Sequence, residues 1–372
     1  MLYRSVIKKV LFKIHPDTVH EHLLKSGKLA GQLQPVRGTL GALWSYQNEA
    51  YLAQMLAGVR FRNPIGLSAG FDTNFELPPL LRAVGFGHME GGSVTYEPCP
   101  GNAHPWFYRL PHSKSLVVHK GLANEGTERV AERIGRYPSK MFADFPCNIS
   151  VAMTNAAHVC DEQKAIDDYA GSVEVLKATG VGDIITLNIS CPNTCNGEPF
   201  TTKSSLARLL DAIDAIGARQ PLFLKMPADL SWKQFKPLLE TAADHSIAGV
   251  IISNLVKDRS LVHPDDKLTP EIKGNLSGKP TWTTSNELIK KTRQTFGDRF
   301  VIIGVGGVFS AEDAYTKICL GADLVSLITG MIFEGPQLIG QINRDLVKLL
   351  EQDGFTNISQ AIGSNLRKMN PK

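Results

Sequence analysis

The stretch "LNISCPNTCNGEP" (187–199) sets a thiol, Cys191, behind an apolar run and between two amides, Asn188 and Asn193. A thiol whose pKa falls below its reference of about 8.5 in positive surroundings can act as a base toward a carbon acid. Taken alone, Cys191 also has the plainer reading of a buried structural thiol. Cys191 and Cys195 could in principle clip a metal, but no second ligand pair stands near them, so no metal site is expected. Asn254, like Asn188, ends an apolar run, where an amide either caps a neighbouring loop or reads the polar edge of a planar ligand.

These residues sit at the ends of candidate strands. The apolar runs are "PIGLSAG" (64–70), "GHMEGGSVT" (87–95), "CNISVAM" (147–153), "DIITLNIS" (183–190), "PLFLKM" (221–226), "AGVIISN" (248–254), "FVIIGVGG" (300–307) and "ADLVSLITG" (322–330). Helical patterns such as "SSLARLLDAIDAIGA" and "SAEDAYTKICLG" separate most of them. Short runs rich in β-branched residues, alternating with crossover helices, predict a (β/α)8 TIM barrel in the α/β class. An open doubly wound sheet is the second reading. Its glycine fingerprint is poor, because "GVGGVF" (304–309) is incomplete and falls after the seventh run.

Barrels of this kind place their chemistry at the C-terminal ends of the strands. The last two runs end in glycine turns, Gly304 to Gly307 and Thr329-Gly330, and "NLSGKP" (275–280) adds another. Glycine lets backbone N–H groups approach an anion closely, so this grouping predicts a phosphate-bearing cofactor. Lys225 closes an apolar strand, where a cation is costly unless its charge is used. Beside a flavin it would stabilise the reduced anion. Otherwise its stem is buried and its head reaches water.

The bulk properties narrow the class. A chain of 372 residues, 43% hydrophobic and 20% charged, can bury a large core as one α/β domain or two smaller ones. A net charge of +4, spread along the chain, leaves no footprint for nucleic acid. No run approaches the roughly 18 apolar residues of a membrane span, and no signal peptide is evident. The six cysteines include no CxxC pair, which predicts free thiols in a reducing, cytoplasmic compartment.

Residues 1–45 differ from the rest. "LYRSVIKKVLFKI" sets Leu2, Val6, Ile7, Val10, Leu11 and Ile14 on one side, with Arg4, Lys8, Lys9 and Lys13 supplying positive charge. A second helical pattern, "DTVHEHLLKSGKLAGQL", follows Pro16. A basic amphipathic helix can lie on an anionic membrane surface or dock on its own domain.

These motifs, in this order, resemble the dihydroorotate dehydrogenases of class 2, the membrane-associated enzymes that pass electrons to quinone. "HPDTVHEHLL" is similar to the N-terminal helical extension of that family and "NPIGLSAGFD" to its first barrel strand. "GFGHMEGGSVTYEPCPGNAHPWFYRL", "LNISCPNT", "LFLKMPADLS", "NLSGKP", "IIGVGGVFSAEDA" and "ADLVSLITGMIFEGP" continue the series over nearly the whole chain. The resemblance implies an N-terminal helical extension (1–45) and an FMN-binding barrel (46–372). FMN contacts would come from Ser68, Ala69, Gly70, Ser93, Asn188, Lys225, Ser253, Gly278, Gly306, Gly307, Thr329 and Gly330. It implies Cys191 as the catalytic base, where class 2 enzymes usually carry serine and class 1 enzymes cysteine. His20 and Arg109 would line a quinone tunnel, and residues 1–45 would touch the inner face of a membrane peripherally.

Departures from the family pattern fall at the substrate. Thr73 stands where the family has a lysine after "GFD", and Val118 to Ala123 replace most of "NRYGFN". Val151, Leu255 and Ile328 replace an asparagine, a threonine and a tyrosine, while Asn188, Asn193 and Asn254 remain. Each unmatched buried polar partner costs roughly 1–3 kcal/mol, so several such losses exceed ~4 kcal/mol, or a thousandfold in affinity. His119 or Lys120 would compensate through a shift of one position. The sequence therefore predicts an FMN oxidoreductase acting on a C–C bond next to a carbonyl, with a substrate less polar than dihydroorotate held by Asn188, Asn193, Asn254, Thr73 and His119. A genuine quinone-dependent dihydroorotate dehydrogenase and a non-catalytic flavoprotein scaffold are the alternatives.

Overall fold

The computed structural model describes residues 3–194 and 197–369, which leaves Leu2 and Cys195 outside the described residues. A short hairpin, β1 (Gln54–Leu56) and β2 (Val59–Phe61), precedes the first barrel strand, β3 (Ile65–Leu67). The chain continues through β4 (His88–Val94), β5 (Phe107–Leu110), β6 (Ser115–Val118), β7 (Cys147–Val151), β8 (Ile184–Asn188), β9 (Leu222–Lys225) and β10 (Ile247–Ile252). It ends with β11 (Asn275–Leu276), β12 (Val301–Val305) and β13 (Leu324–Leu327). Eight parallel strands close a barrel in the order β3-β4-β7-β8-β9-β10-β12-β13, the last pairing back onto the first. The fold is the expected (β/α)8 barrel, and the open sheet is set aside.

The barrel interior changes character along its axis. At the N-terminal end Ile184, Phe223, Ile251, Ile303 and Leu324 pack against Phe61 of the hairpin, an apolar plug. Further up, the inward positions turn polar. The His88 imidazole hydrogen-bonds Ser326 Oγ at 3.0 Å, and Thr186 Oγ1 donates to Asn148 Oδ1 at 2.9 Å. Because side chains alternate along a strand, these residues and the functional strand ends share one face. Outward positions pack on the crossover helices to form the main core.

Two additions cover the mouth. β5, β6 and β11 form a separate antiparallel sheet in which Val118 pairs with both Phe107 and Asn275. Of the N-terminal helices α1 (Lys8–Leu11), α2 (Pro16–Gln32) and α3 (Gln34–Trp44), α2 packs against β5, while α3 packs on α2 and on the helices around the barrel. Asp17, in the first turn of α2, fastens that helix to the sheet: the backbone N–H groups of Trp106 and Phe107 donate to its carboxylate at 2.8 and 3.0 Å. Pro16 opens α2, where a missing N–H costs nothing.

Nine of the twelve exposed large hydrophobic side chains among the described residues lie between Val6 and Leu43, alongside exposed Arg4, Lys9 and Lys13. No described helix is long and apolar enough to cross a membrane. The cysteines depart from expectation at one point. Cys99, Cys147 and Cys191 are free thiols, but Cys160 is disulfide-bonded. Loop folding brought its sulfur to a partner, a proximity that spacing along the chain does not reveal.

Candidate active site at the barrel mouth

One cavity gathers the strand ends. Ser68, Ala69 and Gly70 line it after β3, Ser93 within β4, Asn188 at the end of β8 and Lys225 at the end of β9. Ser253 follows β10, Gly306 and Gly307 follow β12, and Thr329 and Gly330 follow β13; Gly278 follows β11. Cys191, Asn193, Asn254 and Thr73 line the same space, as do His20 of α2 and Arg109 of β5. His119 does not. It neighbours Lys120 in an extended segment, where successive side chains point to opposite sides, and Lys120 faces the cavity. The His119 ring instead meets the Asn102 amide at 3.4 Å.

Lys225 is 4% exposed and has a counter-charge that the sequence reading missed. The Glu90 carboxylate, 1% exposed, accepts from Lys225 Nζ at 3.0 and 3.2 Å and from the Ala69 N–H at 3.0 Å. The only sign in the sequence was an acidic residue inside the buried strand "HMEGGSV". The pair satisfies the rule that buried charges come matched, and it holds the ammonium at the cavity floor.

Asn188 is held on both sides. Its amide donates to Ser93 Oγ at 2.8 Å, Ser93 and Ser150 hydroxyls meet at 2.7 Å, and its oxygen accepts from the Ser190 N–H at 3.2 Å. Asn254 donates to the Ser190 carbonyl at 2.7 Å, and Asn193 donates to the Val118 carbonyl at 3.2 Å. Asn193 Oδ1 in turn accepts from Asn275 at 3.1 Å. Asn102 donates to the carbonyls of His119 and Asn193, and its own N–H donates to the Lys120 carbonyl at 3.1 Å. The loop carrying Cys191 is thereby tied to the segment carrying Lys120.

The Cys191 thiol does not behave as its residue type suggested. Burial raises its pKa to about 11, and the opposing influence of Lys225 is too weak to lower it. Around it lie Cys99, Leu122 and Ala152, an apolar setting that disfavours the thiolate. It remains partly open to the cavity.

Lys120 takes up the position left short of charge at Thr73. Its Nζ donates to Thr73 Oγ1 at 3.3 Å and lies 3.5 Å from the Gly70 carbonyl. Burial depresses its pKa to about 8, with Asp72 and Asp17 partly opposing that shift. Apolar side chains share this wall: Val118, Leu122, Leu255 and Ile328 all face the cavity, whereas Val151 does not.

At the outer end, His20 lies edge-on between Phe71 and Phe107, with ring centroids 5.2 and 5.3 Å away. Burial and the nearby Lys120 charge push its pKa down to about 3, so the ring is neutral. Its Nε2 is buried without a partner among the described residues. The Arg109 guanidinium donates to the Ile14 carbonyl at 2.6 Å and covers the Phe12 ring at 4.7 Å.

The cavity fits a flat cofactor with a phosphate tail. Gly70 has φ +110°, and a Cβ there would meet no protein atom within 4 Å, so the space it would enter is open to a ligand. Gly306 has φ +114°, and its missing Cβ lets the turn after β12 pass close to the Thr281 hydroxyl at the cavity wall. A buried lysine, ordered amides and a polar barrel floor complete the surface.

Comparison with known proteins agrees. Residues 51–350 match the family model described as dihydroorotate dehydrogenase. A relative from Halobacterium salinarum, named dihydroorotate dehydrogenase (quinone), is 34% identical over 364 residues, covering 97% of this chain and 99% of its own. One of the same name from Helicobacter acinonychis is 32% identical over 367 residues, covering 99% and 100%. Among solved structures, DHODH from Eimeria tenella in complex with ferulenol superposes with a TM-score of 0.82 at 23% identity, covering 95% of this chain and 96% of that one, a likeness of fold. With the barrel, the cavity and these relatives in agreement, the chain belongs to the dihydroorotate dehydrogenase family, of the class 2, quinone-dependent type, and is an FMN-dependent oxidoreductase acting on CH–CH groups.

Proposed function

We propose that the protein oxidises dihydroorotate to orotate and delivers the electrons to a membrane quinone. The observation that carries this reading is the continuity of one cavity. It runs from the glycine turns and Lys225, past Cys191, Asn193 and Asn254, to His20 and Arg109 beneath the N-terminal helices. A two-substrate reaction needs both ends. The names of the relatives, dihydroorotate dehydrogenase (quinone), supply the two substrates.

FMN, when bound, supplies a hydride acceptor. Ser68, Ala69, Gly70, Ser93, Asn188, Lys225 and Ser253 would hold its ring portion, and Gly278, Gly306, Gly307, Thr329 and Gly330 its phosphate. Glu90 keeps Lys225 in place, and a positive charge there favours an electron-rich ring. Cys191 takes the proton from the carbon next to the one that loses hydride. Asn193 and Asn254, anchored by backbone carbonyls, orient the cyclic amide of the substrate. Thr73 contributes through Lys120, and His119 takes no part.

At the far end the neutral His20, with its free Nε2, would face a quinone carbonyl, and Arg109 would border the entrance. Residues 1–45 form the membrane-facing extension in this reading and residues 46–372 the catalytic unit. Exposed leucines and valines beside lysines suit a peripheral position on the inner face of an anionic membrane. A second reading has a specific observation in its favour: Val118, Leu122, Leu255 and Ile328 give the pocket an apolar wall, which suits a substrate less polar than dihydroorotate.

Anaerobic mixing of the holoenzyme with dihydroorotate separates the two. Prompt bleaching of the flavin band, reversed by a short-chain quinone, is expected. A flavin that stays oxidised at millimolar dihydroorotate would remove this reading in favour of the less polar substrate.

A further inference from the structure

The cavity holds two buried lysines, and only one is neutralised. Lys225 has Glu90 at 3.0 Å. Lys120 is 8% exposed and forms no ion pair among the described residues; its hydrogen-bond partners are the Thr73 hydroxyl and the Gly70 carbonyl, both neutral. The carboxylates that influence it at longer range are committed elsewhere. Asp72 accepts the N–H groups of Glu76 and Leu77 at 2.9 and 2.8 Å, and Asp17 accepts those of Trp106 and Phe107. The Trp106 ring, 5.7 Å from Nζ, offers only a weak π-face contact. A buried ammonium without a counter-ion is unfavourable in the empty protein and becomes favourable when an anion arrives.

The lysine is also aimed. Asn102 pins the carbonyls on either side of the segment, and Gly121 follows at φ +65° with its α-carbon against the Asn102 amide, leaving no room for a Cβ. The same Asn102 holds the Asn193 carbonyl, so Lys120 and the Cys191 loop keep a fixed relation. Preorganised charge of this kind is spent on binding and orienting a ligand.

We propose that Lys120 is the anion-binding, specificity-determining residue of the substrate pocket: it receives the carboxylate of the substrate and makes the enzyme select anionic rings over neutral ones. Thr73 positions it by accepting a hydrogen bond from its Nζ. The identity of the anion rests on the function proposed above, whereas the requirement for an anion rests on Lys120 alone.

Titration of the oxidised holoenzyme with orotate and with its neutral methyl ester, followed by the flavin difference spectrum, tests this. Wild type is expected to hold orotate ~100-fold more tightly than the ester, as for a charged group gaining a charged partner. Lys120→Met should lower orotate affinity by roughly that factor and change ester affinity less than about threefold. The double variant Thr73→Lys/Lys120→Met, which returns an ammonium to the same place from the opposite side, should recover most of the loss. Flavin content and thermal melting establish that each variant is folded. Equal loss of orotate and ester in Lys120→Met, or unchanged orotate binding, would overturn the proposal. If wild type ignores orotate, the substrate reading fails, and the titration is repeated with acetate and benzoate. Carboxylate binding that depends on Lys120 then upholds the anion site, and no carboxylate binding at all defeats it.

Discussion

Lys120 Nζ lies 3.3 Å from Thr73 Oγ1, although the two residues are 47 positions apart and Lys120 follows a strand that is not part of the barrel. A cation reaches the wall after β3 from the covering sheet, at the position where Thr73 itself brings no charge.

That cation has a cost that can be measured. Its native pKa of about 8 lies below the 10.5 of a free lysine, so the unfolded chain binds more protons between those values. Stability of the ligand-free protein is therefore expected to rise from pH 8 to 10.5, and below pH 8 the charged form carries a penalty of about 3 kcal/mol. Lys120→Met should melt several degrees higher than wild type at pH 7 and lose that rise. A lower melting temperature would show that the ammonium is satisfied in the empty protein.

Cys191 sets a second pH dependence. With the thiol held at about 11, its thiolate fraction grows tenfold per pH unit through the neutral range. At saturating dihydroorotate the rate of flavin reduction in anaerobic stopped flow should climb from pH 7 toward 10, while KM worsens above about 8 as Lys120 loses its proton. Cys191→Ala should lower that rate by ~10²–10⁴. A flat profile with an active alanine variant would take the base role from this thiol.

The Glu90–Lys225 pair is expected to fail asymmetrically. Glu90→Gln leaves a buried ammonium unpaired, at a cost of about 3–5 kcal/mol, and thermal melts should show it. Adding Lys225→Met should return much of the stability without restoring flavin retention. Equal melting of wild type and Glu90→Gln would mean that water compensates the lysine.

Val10, Leu29 and Leu43 are 57%, 58% and 69% exposed, so aspartate at each leaves the fold intact. If these side chains enter a membrane, each substitution removes about 1–2 kcal/mol of binding, or roughly five- to thirtyfold in partition. Flotation with vesicles of anionic and neutral lipid measures this. Unchanged partition of the triple variant would leave the helices as a soluble cover.

The strand-end residues were legible from order and spacing because a (β/α)8 chain writes its active site in sequence register. Every apolar run except 147–153 ends where the cavity begins, so the order of the runs places Ser68, Asn188, Lys225, Asn254 and Gly306 at its wall. Of the two candidates His119 and Lys120, only Lys120 lines the cavity, since alternation out of a short covering strand is set by its pairing with β5 and β11.

What the chain order alone determined was the barrel, the strand-end residues that line its cavity and the thiol in its loop, because these depend on local periodicity and on the turn that follows each strand. Only the tertiary structure decided how charge is distributed. Glu90 stands 135 residues from Lys225, Lys120 neighbours Thr73 across the mouth, and the thiol of Cys191 is burdened rather than helped by its surroundings. Burial and electrostatic coupling are set by whichever segments the fold brings within a few ångströms, and that proximity has no trace in the spacing of residues along the chain.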